Sequence, residues 1–227
     1  MPHLLLLHGA LGSGSQLQGL EELLQDQYTI HRLDLPGHGG TALPDAFSIR
    51  NFADFVEDYC RKHQLPEVHI FGYSMGGYIA LYLARHRPAL VGRMITLATK
   101  FRWDPATAAR ETKMLQPELM QEKIPQFVAD LEQRHAPNDW KKVVSATADM
   151  LHQMGTDSPL QAEDFKQINH PCLLMLGDRD KMVTIEETLD VFRLLPGSQL
   201  AVLPATPHPL EQADPELLAM ICRSFLS

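Results

Sequence analysis

A chain of 227 residues, 44% of them hydrophobic, is long enough to bury one large α/β core. Its net charge of −8, with no run of basic residues, disfavours a general nucleic-acid or anionic-membrane binder, because both need a positive surface. The three cysteines, Cys60, Cys172 and Cys222, lie far apart in apolar segments, outside redox or zinc spacing, and read as small core residues of a reduced protein.

In chain order, Leu4 to Leu7 is a fully apolar run, the signature of a strand covered on both faces. No basic region precedes it and it is too short for a membrane or signal core, so a cytoplasmic protein is expected. It runs into the glycine-rich loop His8 to Gly14, after which Gln16 to Asp26 carries Leu17, Leu20, Leu23 and Leu24 on one helical face. Tyr28 to Leu33 is the next strand. It stops at Asp34-Leu35-Pro36-Gly37-His38-Gly39-Gly40, where proline and glycine force irregular backbone. Ser48 to Gln64 reads as an amphipathic helix with Ser48 as its N-cap and Ile49, Phe52, Ala53, Val56, Tyr59 and Cys60 inward.

Val68 to Phe71 is a β-branched and aromatic strand, followed by Gly72-Tyr73-Ser74-Met75-Gly76-Gly77 and an apolar helix that ends near Pro88. Glycine two before and two after a serine, at a strand-to-helix turn, is the context that gives G-x-S-x-G its meaning, and it marks Ser74 as a nucleophile. An N-capping role would explain the serine but not both glycines. Val91 to Ala98 is a further strand. From Lys100 to Asn169 helical patterns follow one another, broken near Pro117, Pro125, Pro137 and Gly155 to Pro159, and the segment is expected as an insertion at one edge of the sheet's strand sequence. The strand-helix rhythm resumes with Cys172 to Leu176, Gly177-Asp178-Arg179-Asp180, a helix from Thr184 to Leu195, a strand from Gln199 to Leu203, a loop bearing His208, and a helix from Pro215 to Phe225. Alternating strands and helices imply a mostly parallel sheet covered on both faces.

The opening also invites a dinucleotide-binding reading: a strand, then Gly12-x-Gly14, a helix, a strand and an acid. Leu17 stands where the third glycine would pack, and Pro36-Gly37 interrupts the unit just after Asp34, so that reading is weak.

His8-Gly9, Asp34-x-Pro36-Gly37-His38-Gly39, Gly72-x-Ser74-x-Gly76-Gly77, Gly177-x-x-Asp180 and His208 together resemble the landmarks of the α/β-hydrolase family, in register over nearly the whole chain. The resemblance implies a nucleophile, acid and base in the order Ser74, Asp180, His208, with Asp178 as the nearest rival for the acid and Asp104 a distant third. It implies backbone donors at Ala10 and Met75 for a developing oxyanion. His8 and His38 are implied to shape loops, and the other histidines, His135 among them, read as satisfied surface or core residues. Because Met1 stands directly before the first strand, the sheet is expected to be a reduced one of about six strands. The expected organisation is a hydrolase core over 1–99 and 170–227 and a helical lid over 100–169. Most of the lid's Phe, Trp and Met side chains are expected to form the lid's own core, while Tyr78, Trp103 and Phe127 are expected to line a substrate pocket.

The expected activity is hydrolysis of esters or thioesters of small, largely apolar molecules through an acyl-enzyme, without cofactor or metal, by a monomer or homodimer. Hydrolysis of a carbon-carbon bond, the elimination run by the menaquinone-pathway synthases of this fold, and a non-catalytic binding module remain alternatives. The elimination enzymes carry an arginine four residues after the serine, where this chain has Tyr78.

Overall fold

A computed structural model describes residues 1–227. Six strands form one sheet in the order β2-β1-β3-β4-β5-β6, every neighbouring pair parallel: β1 (His3–Leu7), β2 (Thr29–Leu33), β3 (Val68–Tyr73), β4 (Val91–Leu97), β5 (Cys172–Gly177) and β6 (Gln199–Leu203). Parallel strands need crossovers, and the helices supply them. Their long apolar runs follow from burial on both faces. Leu5 and Leu7 point into one core, Leu4 and Leu6 into the other, and all four are inaccessible to solvent.

Helices α1 (Gln18–Leu24) and α10 (Pro215–Leu226) cover one face. On the other face lie α2 (Ile49–Lys62), α3 (Met75–His86) and, further along the chain, α9 (Ile185–Leu194). Ser48 caps α2 as the sequence predicts, its hydroxyl accepting the Asn51 N–H at 3.0 Å. After β1 the chain pairs β2 on one side and β3 on the other. The loops that follow β1 and β3 therefore diverge from a crevice at the carboxyl ends of these strands, which is where open parallel sheets place their ligands.

Between β4 and β5 come α4 (Pro105–Thr112), α5 (Pro117–Lys123), α6 (Pro125–His135), α7 (Trp140–Thr156) and the short α8 (Ala162–Phe165). Two expectations about this segment are corrected. It does not emerge at an edge, because β4 and β5 are interior neighbours paired from Met94 with Cys172 to Leu97 with Met175. Strand order depends on pairing between distant segments, which one sequence does not display. Nor do its large side chains form a core of their own. Met120, Leu131, Trp140, Val143, Met150 and Met154 belong to one continuous apolar cluster with Leu5, Leu7, Ile70 and the inward faces of α2 and α3. The segment lies on the crevice and shares the sheet's core instead of closing on itself.

Shared core implies shared unfolding. Trp140→Ala should cost about 3–5 kcal/mol, as for other buried tryptophans, and should shift one cooperative transition followed by both near-UV and far-UV signals. Two separated transitions would mean that the helices fold as an independent unit.

Candidate active site

The turn between β3 and α3 holds Ser74 at φ 51°, ψ −114°, a conformation that residues with side chains avoid. Two hydrogen bonds keep it there: Ser74 N–H donates to Leu97 O at 2.8 Å, and Thr99 Oγ1 donates to Ser74 O at 3.0 Å. The flanking glycines are required sterically. A Cβ on Gly72 would run into the Gly76 carbonyl, and one on Gly76 into the Leu7 carbonyl of β1, so α3 starts directly against the sheet. The reward of this tight reversal is a half-exposed serine at the head of a helix, on the wall of a cavity.

Asp180 follows β5 and His208 follows β6, and the structure brings them together: His208 Nδ1 lies 2.8 Å from Asp180 Oδ2. The carboxylate is buried, and its other oxygen accepts the N–H groups of Met182 and Val183, each at 2.8 Å. Burial alone would raise the pKa of this acid, but the bonds from His208 and from the two backbone donors outweigh it and hold the carboxyl below its ordinary value. An ionised carboxylate on Nδ1 fixes that nitrogen as the protonated one and leaves Nε2 free. Tyr73, next to Ser74, donates its hydroxyl to His208 O at 3.0 Å and so ties the histidine loop to the strand that leads to the serine. Ser74 and His208 line the same cavity but form no direct hydrogen bond, a common looseness in sites without substrate.

Asp178, the rival acid, is used otherwise, accepting the Thr206 N–H at 3.2 Å and bracing the loop that carries His208. Asp104 caps α4 through the Thr107 N–H at 2.7 Å. Ala10 and Met75 both line the cavity beside Ser74. Ala10 N–H has no acceptor within the protein, and Met75, as the first residue of α3, has none within its helix. Two backbone donors without a hydrogen-bond partner of this kind therefore belong to residues of the cavity wall beside Ser74.

The cavity holds about 400 Å³, and 16 of its 26 lining residues are hydrophobic, so an apolar group is its natural occupant. Trp103 and Phe127 line it, Trp103 anchored by its indole N–H to Lys100 O at 3.2 Å. Tyr78 also contributes wall, but its hydroxyl is spent elsewhere. It bonds Ser158 Oγ at 3.0 Å and accepts the Leu160 N–H at 3.1 Å, and burial pushes its pKa up to about 12. The three cysteines are buried free thiols, pushed by desolvation to about 11 for Cys60 and about 12 for Cys172 and Cys222, and none lines the cavity. No three or more His, Cys, Asp or Glu side chains converge as a metal-binding group. No helix is long and apolar enough to cross a membrane.

A model of the alpha/beta hydrolase fold matches residues 2–156, over half of the chain. The chain belongs to the alpha/beta hydrolase fold family. Among its relatives are a pimeloyl-[acyl-carrier protein] methyl ester esterase of Vibrio campbellii, 26% identical over 99% of this chain and 94% of the relative, and a putative 2-succinyl-6-hydroxy-2,4-cyclohexadiene-1-carboxylate synthase of Bacillus subtilis, 28% identical over 97% and 89%. A thermophilic esterase from Thermogutta terrifontis has the same fold, with a TM-score of 0.81 and 22% identity over 100% of this chain and 89% of that one.

Two features of this hydrolase-fold site lie outside the sequence reading. Lys100 is buried, its ammonium 2.9 Å from Met182 O, 3.3 Å from Glu187 and 3.6 Å from Glu111, and Glu187 also accepts the Phe101 N–H at 3.0 Å. This cluster pins the start of the lid to α9 and to the loop that carries Asp180. Midway along the segment, Arg134 Nη1 donates to Leu11 O at 2.8 Å and His135 Nε2 lies 3.2 Å from the same oxygen, joining α6 to the loop that carries Ala10. A basic pair at the end of an amphipathic helix gives no sign of such a partner in the sequence.

His135 completes a buried group with His8 and His38: the His8 and His38 rings are tilted with centroids 5.0 Å apart, and His135 meets His38 edge-on at 5.5 Å. Desolvation lowers His8 and His135 from 6.5 to about 4 each, and His38 is lowered as well. Above pH 6.5 these rings are neutral in both native and unfolded chains, and the full stability is present. As pH falls from 6.5 towards 4, the unfolded chain takes up protons that the native one refuses, so stability is lost. Urea midpoints should fall across that window, and His135→Gln should reduce the fall. A flat profile between these limits would show that the rings are charged in the fold.

Proposed function

We propose that the protein is a serine hydrolase that cleaves carboxylic esters or thioesters with a small apolar acyl group, through an acyl-enzyme on Ser74. The observation that carries this reading is the convergence of Ser74, the Asp180-held His208 and the free N–H groups of Ala10 and Met75 around one apolar cavity. His208 takes the Ser74 proton as the oxygen attacks the acyl carbon. Asp180 orients the ring and stabilises its charged form, and the two N–H groups bind the oxyanion. His208 then protonates the leaving group, and water, activated by the same ring, releases the acid. Esterase relatives of the same fold support this assignment.

The relative named as a putative synthase keeps a second reading open, elimination from a carboxylate-bearing substrate. Tyr78, neutral and bonded to Ser158 and Leu160, offers no cation to such a carboxylate and favours hydrolysis.

Ser74→Ala and His208→Ala should each lower kcat/KM for an activated aryl ester by at least about a thousandfold, with Asp180→Asn nearly as costly. Asp178→Asn should cost about tenfold or less, acting through the loop. Denaturation during turnover should trap the acyl group on Ser74. Acyl-free Ser74, no ester or thioester turnover across a broad panel, and rapid elimination from a dicarboxylate would replace hydrolysis with the second reading.

Trp103→Ala and Phe127→Ala should change the preference among acyl chain lengths by about tenfold while leaving the rate of Ser74 labelling by a small fluorophosphonate within about threefold. Equal losses in both measurements would assign these aromatics to structure and not to specificity.

A further inference from the structure

Two cavities meet at His208. The apolar one under the lid and a more open one of about 510 Å³ share Glu111, Met182, His208 and Pro209. Their linings are opposite in character, since only one of the eight residues around the outer cavity is hydrophobic. In acyl transfer the histidine hands its proton to the departing oxygen or sulfur, so the leaving group lies against that ring while the acyl group stays with the oxyanion donors. Ala10 and Met75 line the inner cavity alone. The outer cavity is thus placed to receive the part of the substrate that departs.

Its charge is specific. Arg110, Arg179 and Lys181 line it with one carboxylate, Glu111. That carboxylate is already engaged, 3.0 Å from Arg110 and 3.6 Å from Lys100. The neighbouring acids are engaged as well, Asp178 with the Thr206 N–H and Asp180 with His208 and two backbone donors. The side chains of Arg179 and Lys181 have no acidic partner; the hydrogen bond that Arg179 makes is from its backbone N–H to Thr206 O at 3.1 Å. Arg179 and Lys181 thus present two cations without an ion-pair partner in one concavity beside His208, in a chain whose net charge is −8.

We propose that the substrate's leaving alcohol or thiol carries a phosphate, which Arg179 and Lys181 hold in the outer cavity while the apolar acyl group fills the inner one. A phosphate dianion matches two cations, and the guanidinium fork can grip two of its oxygens. The inference rests on the serine-hydrolase reading. Ser74 Oγ bonds to the acyl carbon, the carbon-oxygen or carbon-sulfur bond to the phosphorylated group breaks, and that group leaves with the proton from His208. Water then cleaves the acyl-serine bond, restores the Ser74 hydroxyl and releases the acid. The phosphate itself does not react.

Two sources of such a group are separated by reach: a short phosphorylated alcohol and a long phosphopantetheine-type thiol. The test compares kcat/KM for the butyryl esters of glycerol and of glycerol phosphate, and for the butyryl thioesters of pantetheine and of phosphopantetheine. In at least one pair the phosphorylated member should be favoured by about tenfold or more at low ionic strength, and the gain should shrink in about 0.5 M NaCl. The pair that shows the gain identifies the source. Arg179→Gln with Lys181→Gln should bring the ratio to about one, and Arg179→Glu with Lys181→Glu should invert it; labelling of Ser74 by a fluorophosphonate reports that each variant is folded. A ratio near one in both pairs for the wild type, or a gain that survives charge reversal, overturns the inference while turnover of the neutral members leaves the hydrolase reading intact. If no substrate turns over and Ser74 resists the probe, that reading falls and the inference falls with it.

Discussion

The backbone of Ser74 is held where its own φ and ψ do not want to be, and the site is built around that constraint. Strain of this kind costs on the order of 1–3 kcal/mol and persists only where surrounding structure over-determines it. Here β4 does so twice over, through the Leu97 carbonyl and the Thr99 hydroxyl just beyond it. The same turn starts α3 against β1, which fixes the Met75 N–H relative to the loop that presents the Ala10 N–H. Ser74 and the backbone of Met75 and Ala10 are thus positioned by the most buried strands of the sheet, and precision of placement comes from the core.

Asp180 and His208 are positioned by different means. Asp180 lies in a loop whose backbone wraps its carboxylate, and His208 in a loop braced by Asp178 and by the Tyr73 hydroxyl. Tyr73 is the residue before Ser74, so the loop of His208 is referenced to the strand that leads to the serine and not only to its own. Above them the lid shares the sheet's apolar core and is held by polar contacts at two places, Lys100 with Glu187 and Glu111 at its start and Arg134 and His135 at the end of α6. The charges among these, Lys100 with Glu187 and Glu111, add little net stability once desolvation is counted, but they exclude alternative seatings that would leave a buried charge unpaired.

What could be read from the sequence follows from range. The strands were legible because burial on both faces leaves runs such as Leu4 to Leu7, and Ser48 showed the start of α2 because capping is local. The tight turn that carries Ser74 was legible because two glycines around a serine at a strand-helix boundary mark close backbone approach. The pairing of Asp180 with His208 needed the resemblance to a family, since nothing local distinguishes Asp180 from Asp178; the structure separates them by which carboxylate reaches the imidazole and which the Thr206 N–H. The position of the lid over interior strands, its shared core, and the partners of Lys100 and His135 were not legible. All rest on contacts between segments dozens of residues apart, which leave no periodic trace in either partner.

One carbonyl joins the lid to the chemistry. Leu11 O accepts from Arg134 and faces His135, both at the end of α6, and Leu11 itself sits at φ 57° directly after Ala10. That contact ties the seating of α6 to the shape of the loop that carries Ala10, so a change at the end of the helix is felt on the cavity wall beside Ser74 as well as in the helix itself.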